Sequence, residues 1–285
     1  MSATKSLGTL CSDSVTFIKK HLTALLVGAV VFGVATNGIG WWLAGSAAMQ
    51  GVNFGAWQQQ LEGASKRMEE LQQKAVQGGL DAASQKEMEV LGKQMMEQSL
   101  QGVGAMSTVL KAMLPAIGLS LLLTIVVALI AKSYFLVIAV KGMTDAGAAA
   151  QGTVGAIVPL VGLWLWIAIR TFVWIPVLGF FIAIVVGPRF LLSPLYLLEQ
   201  KKGVMESARM SYGKTKGFWG KIIGNVFVFA LVTMICAAIL GKLAVGVLGL
   251  MLGGFVAAII GELASAFIMI FAMQLARTVI GSARA

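Results

Sequence analysis

Residues 22–44 read LTALLVGAVVFGVATNGIGWWLA, 23 positions without a charged side chain. A helix that crosses a bilayer needs about 20 mostly apolar residues, because hydrocarbon offers its backbone groups no other partners. Lys19, Lys20 and His21 stand directly before this run, which is long enough to remain as an anchor and unlike a cleaved leader. The stretch is therefore read as a first membrane span.

Five further apolar stretches follow: 112–131 with an extension to 140, 154–169, 171–187, 222–240 and 254–276. Across all 285 residues the hydrophobic fraction is 58% and the charged fraction only 12%, too much apolar surface for a soluble domain to hide. The runs are continuous, not alternating, which excludes a transmembrane β-barrel. The expected fold is all-α, a polytopic bundle of about six spans with an extracytoplasmic helical hairpin. Residues 241–253 are apolar and glycine-rich but short, and read as a re-entrant or interfacial segment. Cys11 precedes the first span and Cys236 lies in the fifth, so no disulfide framework is expected.

The formal net charge of +10 does not point to nucleic acid. In a multi-span protein it reads as positive-inside bias and attraction to anionic headgroups. With six spans, the N-terminus, 132–153, 187–221 and the C-terminus share one side, which holds 14 Lys/Arg against four acids. The other side holds eight Lys/Arg against seven acids. The basic side is then cytoplasmic, with both termini inside a bacterial cytoplasmic membrane. Arg170, flanked by Trp164, Trp166 and Trp174, is placed at the outer turn between the third and fourth spans. The rival is five spans with Arg170 buried in one tilted helix.

One region departs from this apolar pattern: 51–110, charged and glutamine-rich. Trp57, Leu61, Ala64, Met68, Leu71 and Ala75 fall at alternating steps of four and three, a heptad seam. Glu62–Lys66 and Glu70–Lys74 are spaced as i,i+4 pairs, and Gly78-Gly79 breaks the helix. A second helix is expected from Ser84, with Glu87 completing a capping box, Met88, Leu91 and Met95 as its seam, and Glu89–Lys93 outside. Paired antiparallel, the two form a coiled-coil stalk. It reads either as a cap on the bundle or as an arm that docks an extracytoplasmic protein or a second copy. The weak Ala, Met and Gln seam favours a partner.

On the basic side, Leu7, Cys11, Val15, Ile18 and Leu22 form the apolar face of an amphipathic helix over 1–21. The stretch 188–221 is similar, with Val204, Ala208 and Tyr212 on one face. Lys141 to Gly152 precedes the third span, so the chain reads as three copies of interfacial helix, span out, span back. Lys19, Lys20, Arg189, Lys201, Lys202, Arg209, Lys214, Lys216 and Lys221 are the expected contacts to the anionic inner leaflet, each worth about 1 kcal/mol near such a surface.

Arg189-Phe190, Leu197-Leu198-Glu199, Gly203, Glu206-Ser207-Ala208, Ser211 and Thr215-Lys216-Gly217-Phe218-Trp219 resemble the last cytoplasmic loop of a group of bacterial six-span proteins. These are the membrane domain of glycerophosphodiester phosphodiesterases and the related YciC-like inner-membrane proteins. The resemblance implies a six-helix bundle in the cytoplasmic membrane. The phosphodiesterase activity of those proteins belongs to a separate soluble barrel, for which these 285 residues leave no room. The 51–110 hairpin lies outside the resemblance.

Ala208 to Thr215 satisfies a loose P-loop pattern, but no strand feeds it, so its charges are read as headgroup contacts. Glu262, about 12 Å into the last span, is the sharpest single residue. Intramembrane carboxylates are costly and default to function. It is expected to be protonated, to pair with Lys242 or Arg170, or to line a polar path. Gly249-x-x-x-Gly253 and Ala257-x-x-x-Gly261-x-x-x-Ser265 have the spacing that lets helices approach closely. No metal-ligand spacing, cofactor motif or nucleophile with a base partner stands out. The expectation is a non-enzymatic scaffold, assembly or envelope-homeostasis factor. The alternative is a transporter or channel subunit using Glu262, and a third class is a lipid-handling accessory.

Overall fold

A computed structural model describes residues 6–49, 66–67, 69–71, 73, 82–172 and 186–282. Among them the fold is all-α: α1 (Leu7–Lys20), α2 (Leu22–Met49), α3 (Ala82–Lys141), α4 (Ala146–Phe172), a 3-10 turn (Gly187–Phe190), α5 (Ser193–Leu198), α6 (Val204–Lys214) and α7 (Trp219–Ser282). The chain divides into a larger unit, Met1–Gly38 with Thr124–Ala285, and a smaller one, Ile39–Leu123.

Four described helices are long and apolar enough to cross a membrane, not six: Leu22–Gly45, Met113–Lys141, Ala146–Arg170 and Trp219–Gly281. Two features account for the difference. Most of the fourth expected span, 171–187, lies outside the described residues. The fifth and sixth fall within α7, which is broken only at Gly249 (φ 78, ψ 173). That conformation is essentially restricted to glycine. The expected re-entrant stretch 241–253 is thus helix on both sides of one break.

The break folds α7 back on itself. A Cβ on Gly253 would meet the backbone of Val245 and Ala244, and one on Gly241 would lie 3.3 Å from the Ala257 methyl. Further from the turn, the Phe229 and Phe271 rings stack at 4.1 Å and 5°. The small-residue spacing seen in the sequence therefore joins two arms of one helix, because missing side chains let backbones touch.

The rest of the larger unit packs around Phe135, Phe271, Leu25 and Ile138, all fully buried. On α3, every residue from Ser133 to Val140 is buried, while Ile125 and Val126 are exposed. Exposed apolar residues on a membrane helix are those that face lipid. Helix α2 enters the core through small residues. Gly28 lies against the Tyr134 ring, and a Cβ on Gly33 would stand 2.8 Å from the Ile259 nitrogen. The Tyr134 hydroxyl donates to the Ala24 carbonyl at 2.9 Å, which satisfies the one polar atom of that ring.

Helix α1 starts at a Ser6 cap, whose Oγ accepts from the Thr9 N–H at 3.3 Å. It packs against α7, and most of the apolar face expected at the membrane surface stays exposed. Leu10, Ser14 and Ile18 are buried, whereas Leu7, Val15 and Leu22 are exposed. Ser14 can sit in the buried stripe because its Oγ donates to the Leu10 carbonyl at 2.7 Å, four residues back.

In the smaller unit, Arg67 reaches Glu87 and Glu70 at 2.9 Å, and Lys93 pairs with Glu89 at 2.7 Å. Leu71 is buried, and Met88 and Leu91 are half-buried. Ser84 lies inside a helix that begins at Ala82, and Glu87 is engaged by Arg67, in place of the expected capping box at a helix start. The carboxylates hold the Arg67 guanidinium above its ordinary pKa through those hydrogen bonds. Trp57, Leu61 and Met68 lie outside the described residues, as does the side chain of Met95.

Candidate functional site

The polar residues of the basic stretch divide into two groups: one holds the fold and the other reaches the surface. Ser207, Ala208, Ser211 and Thr215 face inward and are fully buried. Ser211 Oγ donates to the Arg189 carbonyl at 2.6 Å and accepts from the Leu192 N–H at 3.1 Å. Thr215 Oγ1 donates to Ser211 O at 2.9 Å, and Arg189 O is a second acceptor at 3.2 Å. These hydroxyls bind α6 to the 3-10 turn, whose carbonyl would otherwise be buried unpaired. The stretch that loosely matches a P-loop is helix up to Lys214, so its N–H groups are spent on the helix and form no phosphate cradle.

The segments assigned to one side by charge counting do meet. Arg277 Nη2 donates to the Val140 carbonyl at 2.5 Å and to Glu199 Oε1 at 2.8 Å. His21 is buried, stacked on Phe17 at 3.9 Å, with Nδ1 2.7 Å from the Phe17 carbonyl. A Cβ on Gly142 would lie 3.7 Å from His21 Nε2. The N-terminal helix, the end of α3, the basic stretch and the end of α7 thus share one end of the larger unit. His21 is part of that packing. Arg277 carried no recognisable sequence signal, because its partners are a backbone carbonyl and a residue 78 positions away.

Arg170 is the main correction. Sequence reasoning put it across the membrane from 187–221, yet it lines a cavity of about 600 Å³ together with Arg209 and Tyr212 of α6. Val186, Phe190, Met205, Ala208 and Trp166 complete its described walls. The Arg170 guanidinium lies 5.4 Å from the Trp166 ring centre, and that of Arg189 lies 4.7 Å from Tyr212. Such cation–π contacts orient a guanidinium without neutralising it. Arg189 Nε is buried and has no hydrogen-bond partner. None of the lining residues is acidic.

The other expected contacts to headgroups are spread over the surface. Lys19, Lys20, Lys201, Lys214, Lys216 and Lys221 are exposed, and Lys202 pairs with Glu206 at 2.9 Å. Glu262 is half-buried on the second arm of α7. Lys242 lines an apolar groove between the arms of α7. Among the described residues no group of His, Cys, Asp and Glu is arranged to hold a metal ion. Cys11 and Cys236 are free thiols.

No protein-family model, curated protein or solved structure matches this chain.

Proposed function

We propose that this is a non-enzymatic multi-pass protein of a bacterial cytoplasmic membrane, acting as a scaffold or as an assembly or envelope-homeostasis factor. The observation that carries the reading is the division of labour between the units. The larger one spends the Ser211 and Thr215 hydroxyls, and Arg277 as well, on holding helix ends together. The smaller unit contains the polar, heptad-patterned region and forms a separate cluster of contacts. A partner of the smaller unit is then either another extracytoplasmic protein or a second copy of the chain.

In this reading the four candidate helices, α2, α3, α4 and α7, lie in the bilayer, and each arm of α7 exceeds the roughly 20 residues needed to cross it. The basic end, where His21, Val140, Glu199 and Arg277 gather, faces the cytoplasm by the positive-inside rule. The resemblance to six-span membrane domains is consistent with this orientation. The direct test is deletion of 53–107, followed by purification in mild detergent. Loss of co-purifying protein, or of self-association, with the melting transition retained supports docking; unchanged association refutes it.

A second reading rests on Glu262, a carboxylate half-buried on the second arm of α7. An ionisable residue placed in an apolar helix is costly and is a feature of ion and proton paths. A transporter or channel subunit would lose its flux in proteoliposomes on Glu262→Gln while remaining folded. A flux abolished in this way would overturn the scaffold reading.

A further inference from the structure

The basic stretch has been treated as a diffuse positive surface, but the cavity at Arg170 is a different kind of object. It gathers arginines from two segments far apart in sequence, the end of α4 and the middle of α6, with no carboxylate on its described walls. Two guanidiniums in one concavity repel each other unless an anion sits between them. Arg170 rests on Trp166, and Arg189 rests on Tyr212 with its Nε buried and unpaired. A planar fork held on an aromatic face keeps its edge donors for an oxyanion, the geometry in which arginine recognises phosphate.

The 3-10 turn supplies the second half of the argument. Val186 and Phe190 line the arginine cavity, while Gly187, Pro188 and Leu191 of the same short stretch line a groove of about 430 Å³. The remainder of that groove is the apolar face of α7: Ile222, Ile223, Val226, Phe227 and Ala230. Neighbouring residues of one turn thus line both a cationic pocket and an apolar groove. A ligand that satisfies both carries a phosphate at one end and a hydrocarbon chain at the other.

We infer that the Arg170–Arg209 cavity and the Val226–Ala230 groove together form a saturable site for one anionic glycerophospholipid, with its phosphate between the arginines and an acyl chain along α7. The inference rests on the membrane reading above and goes beyond it, since diffuse lysines attract a surface whereas this site selects a molecule. It gives the Arg170 position a purpose: the residue completes a headgroup pocket. The chemistry recognised is a phosphate ester, which a lipid or a soluble phosphate ester could supply; the apolar groove favours the lipid.

The test uses the full chain in detergent, with native mass spectrometry of added phosphatidylglycerol, phosphatidylcholine and glycerol 3-phosphate. The wild type is expected to retain phosphatidylglycerol at collision energies that strip phosphatidylcholine. Arg170→Gln combined with Arg209→Gln should weaken phosphatidylglycerol about tenfold or more, the scale of one or two lost charge-assisted bonds. Lys214→Gln with Lys216→Gln removes the same charge and should change binding less than about threefold. Equal losses in the two double variants would reduce the site to diffuse charge and overturn the inference. Should the Arg→Gln pair fail to fold, Arg170→Lys with Arg209→Lys keeps the charge but loses the fork. Phosphatidylglycerol retention in that variant must still fall, and unchanged retention counts against the site.

Ala230→Trp fills the groove, and it should lower lipid retention while leaving glycerol 3-phosphate unaffected. If glycerol 3-phosphate displaces the lipid and Ala230→Trp has no effect, the ligand is a soluble phosphate ester and the lipid assignment falls. Recovery of the protein in the soluble fraction, without detergent, would instead refute the membrane reading itself.

Discussion

Arg277 and Glu199 are joined at 2.8 Å by the same guanidinium nitrogen that donates to the Val140 carbonyl. The carboxylate and guanidinium are each more than a third exposed, so the ion pair in isolation contributes only about 0–1 kcal/mol. The bond to the carbonyl closes an otherwise open end of α3. Arg277→Ala is therefore expected to cost about 1–3 kcal/mol and Glu199→Gln less than about 1 kcal/mol. Melting of the two variants in the same detergent compares them, and equal losses would mean that the ion pair, not the carbonyl bond, matters.

Ser211 serves two buried backbone groups at once, the Leu192 N–H and the Arg189 carbonyl. Ser211→Ala leaves the N–H without that acceptor, a loss of about 1–3 kcal/mol. Thr215→Val should cost less, because Arg189 O would retain its Ser211 donor. A milder effect for Ser211→Ala than for Thr215→Val in thermal denaturation would contradict this ordering.

Glycines of similar appearance are expected to behave in opposite ways. A Cβ on Gly33 would press on the backbone of Ile259, which cannot rotate aside, so Gly33→Ala should destabilise and lower the yield of folded protein. Gly224→Ala meets nothing within 4 Å in a helix and should be neutral or stabilising by about 0.5–1 kcal/mol. Size-exclusion profiles and melting temperatures of the pair decide the matter.

Gly249→Ala tests the fold-back of α7. The conformation at φ 78, ψ 173 is strained for any residue with a side chain, at about 1–3 kcal/mol. Cysteines at 241 and 257, which face each other across the hairpin, should crosslink readily in the wild-type background and more slowly in Gly249→Ala. An unchanged rate would mean that packing between the arms, not the glycine, sets the turn.

The Arg67–Glu87 bridge between residues 20 apart gives a matching test in the smaller unit. Both side chains are well exposed. Glu87→Gln is thus expected to leave stability almost unchanged, with a small effect that shrinks further in high salt. A large, salt-independent loss would indicate a buried contact.

Much of the class was legible in sequence because bilayer chemistry permits few solutions. Long apolar runs must be helices, and four described helices satisfy that demand. Counting alternate spans grouped the basic segments, and contacts from His21 to Gly142 and from Arg277 to Glu199 bring them together, but Arg170, expected on the opposite side, lies beside Arg209. The face of α1 was not legible. In a membrane protein an apolar stripe suits lipid as well as core, so Leu7 and Val15 gave no direction, while Ser14 was hidden by its own backbone bond. The two runs at 222–240 and 254–276 were legible, but not that they belong to one helix broken only at Gly249.

The chain by itself determined that the protein is helical, apolar and basic at one end, because composition alone limits what a bilayer accepts. Tertiary structure decided which polar residues hold the fold and which stay at the surface or line a cavity. Ser211 and Thr215 resemble a phosphate motif on paper, yet their hydroxyls are consumed by backbone groups of the basic stretch. Arg170 resembles a boundary marker, yet it shares a cavity with Arg209. The reason is physical: hydrogen-bond partners and like-charge neighbours are set by distance in space, which spacing along the chain does not encode.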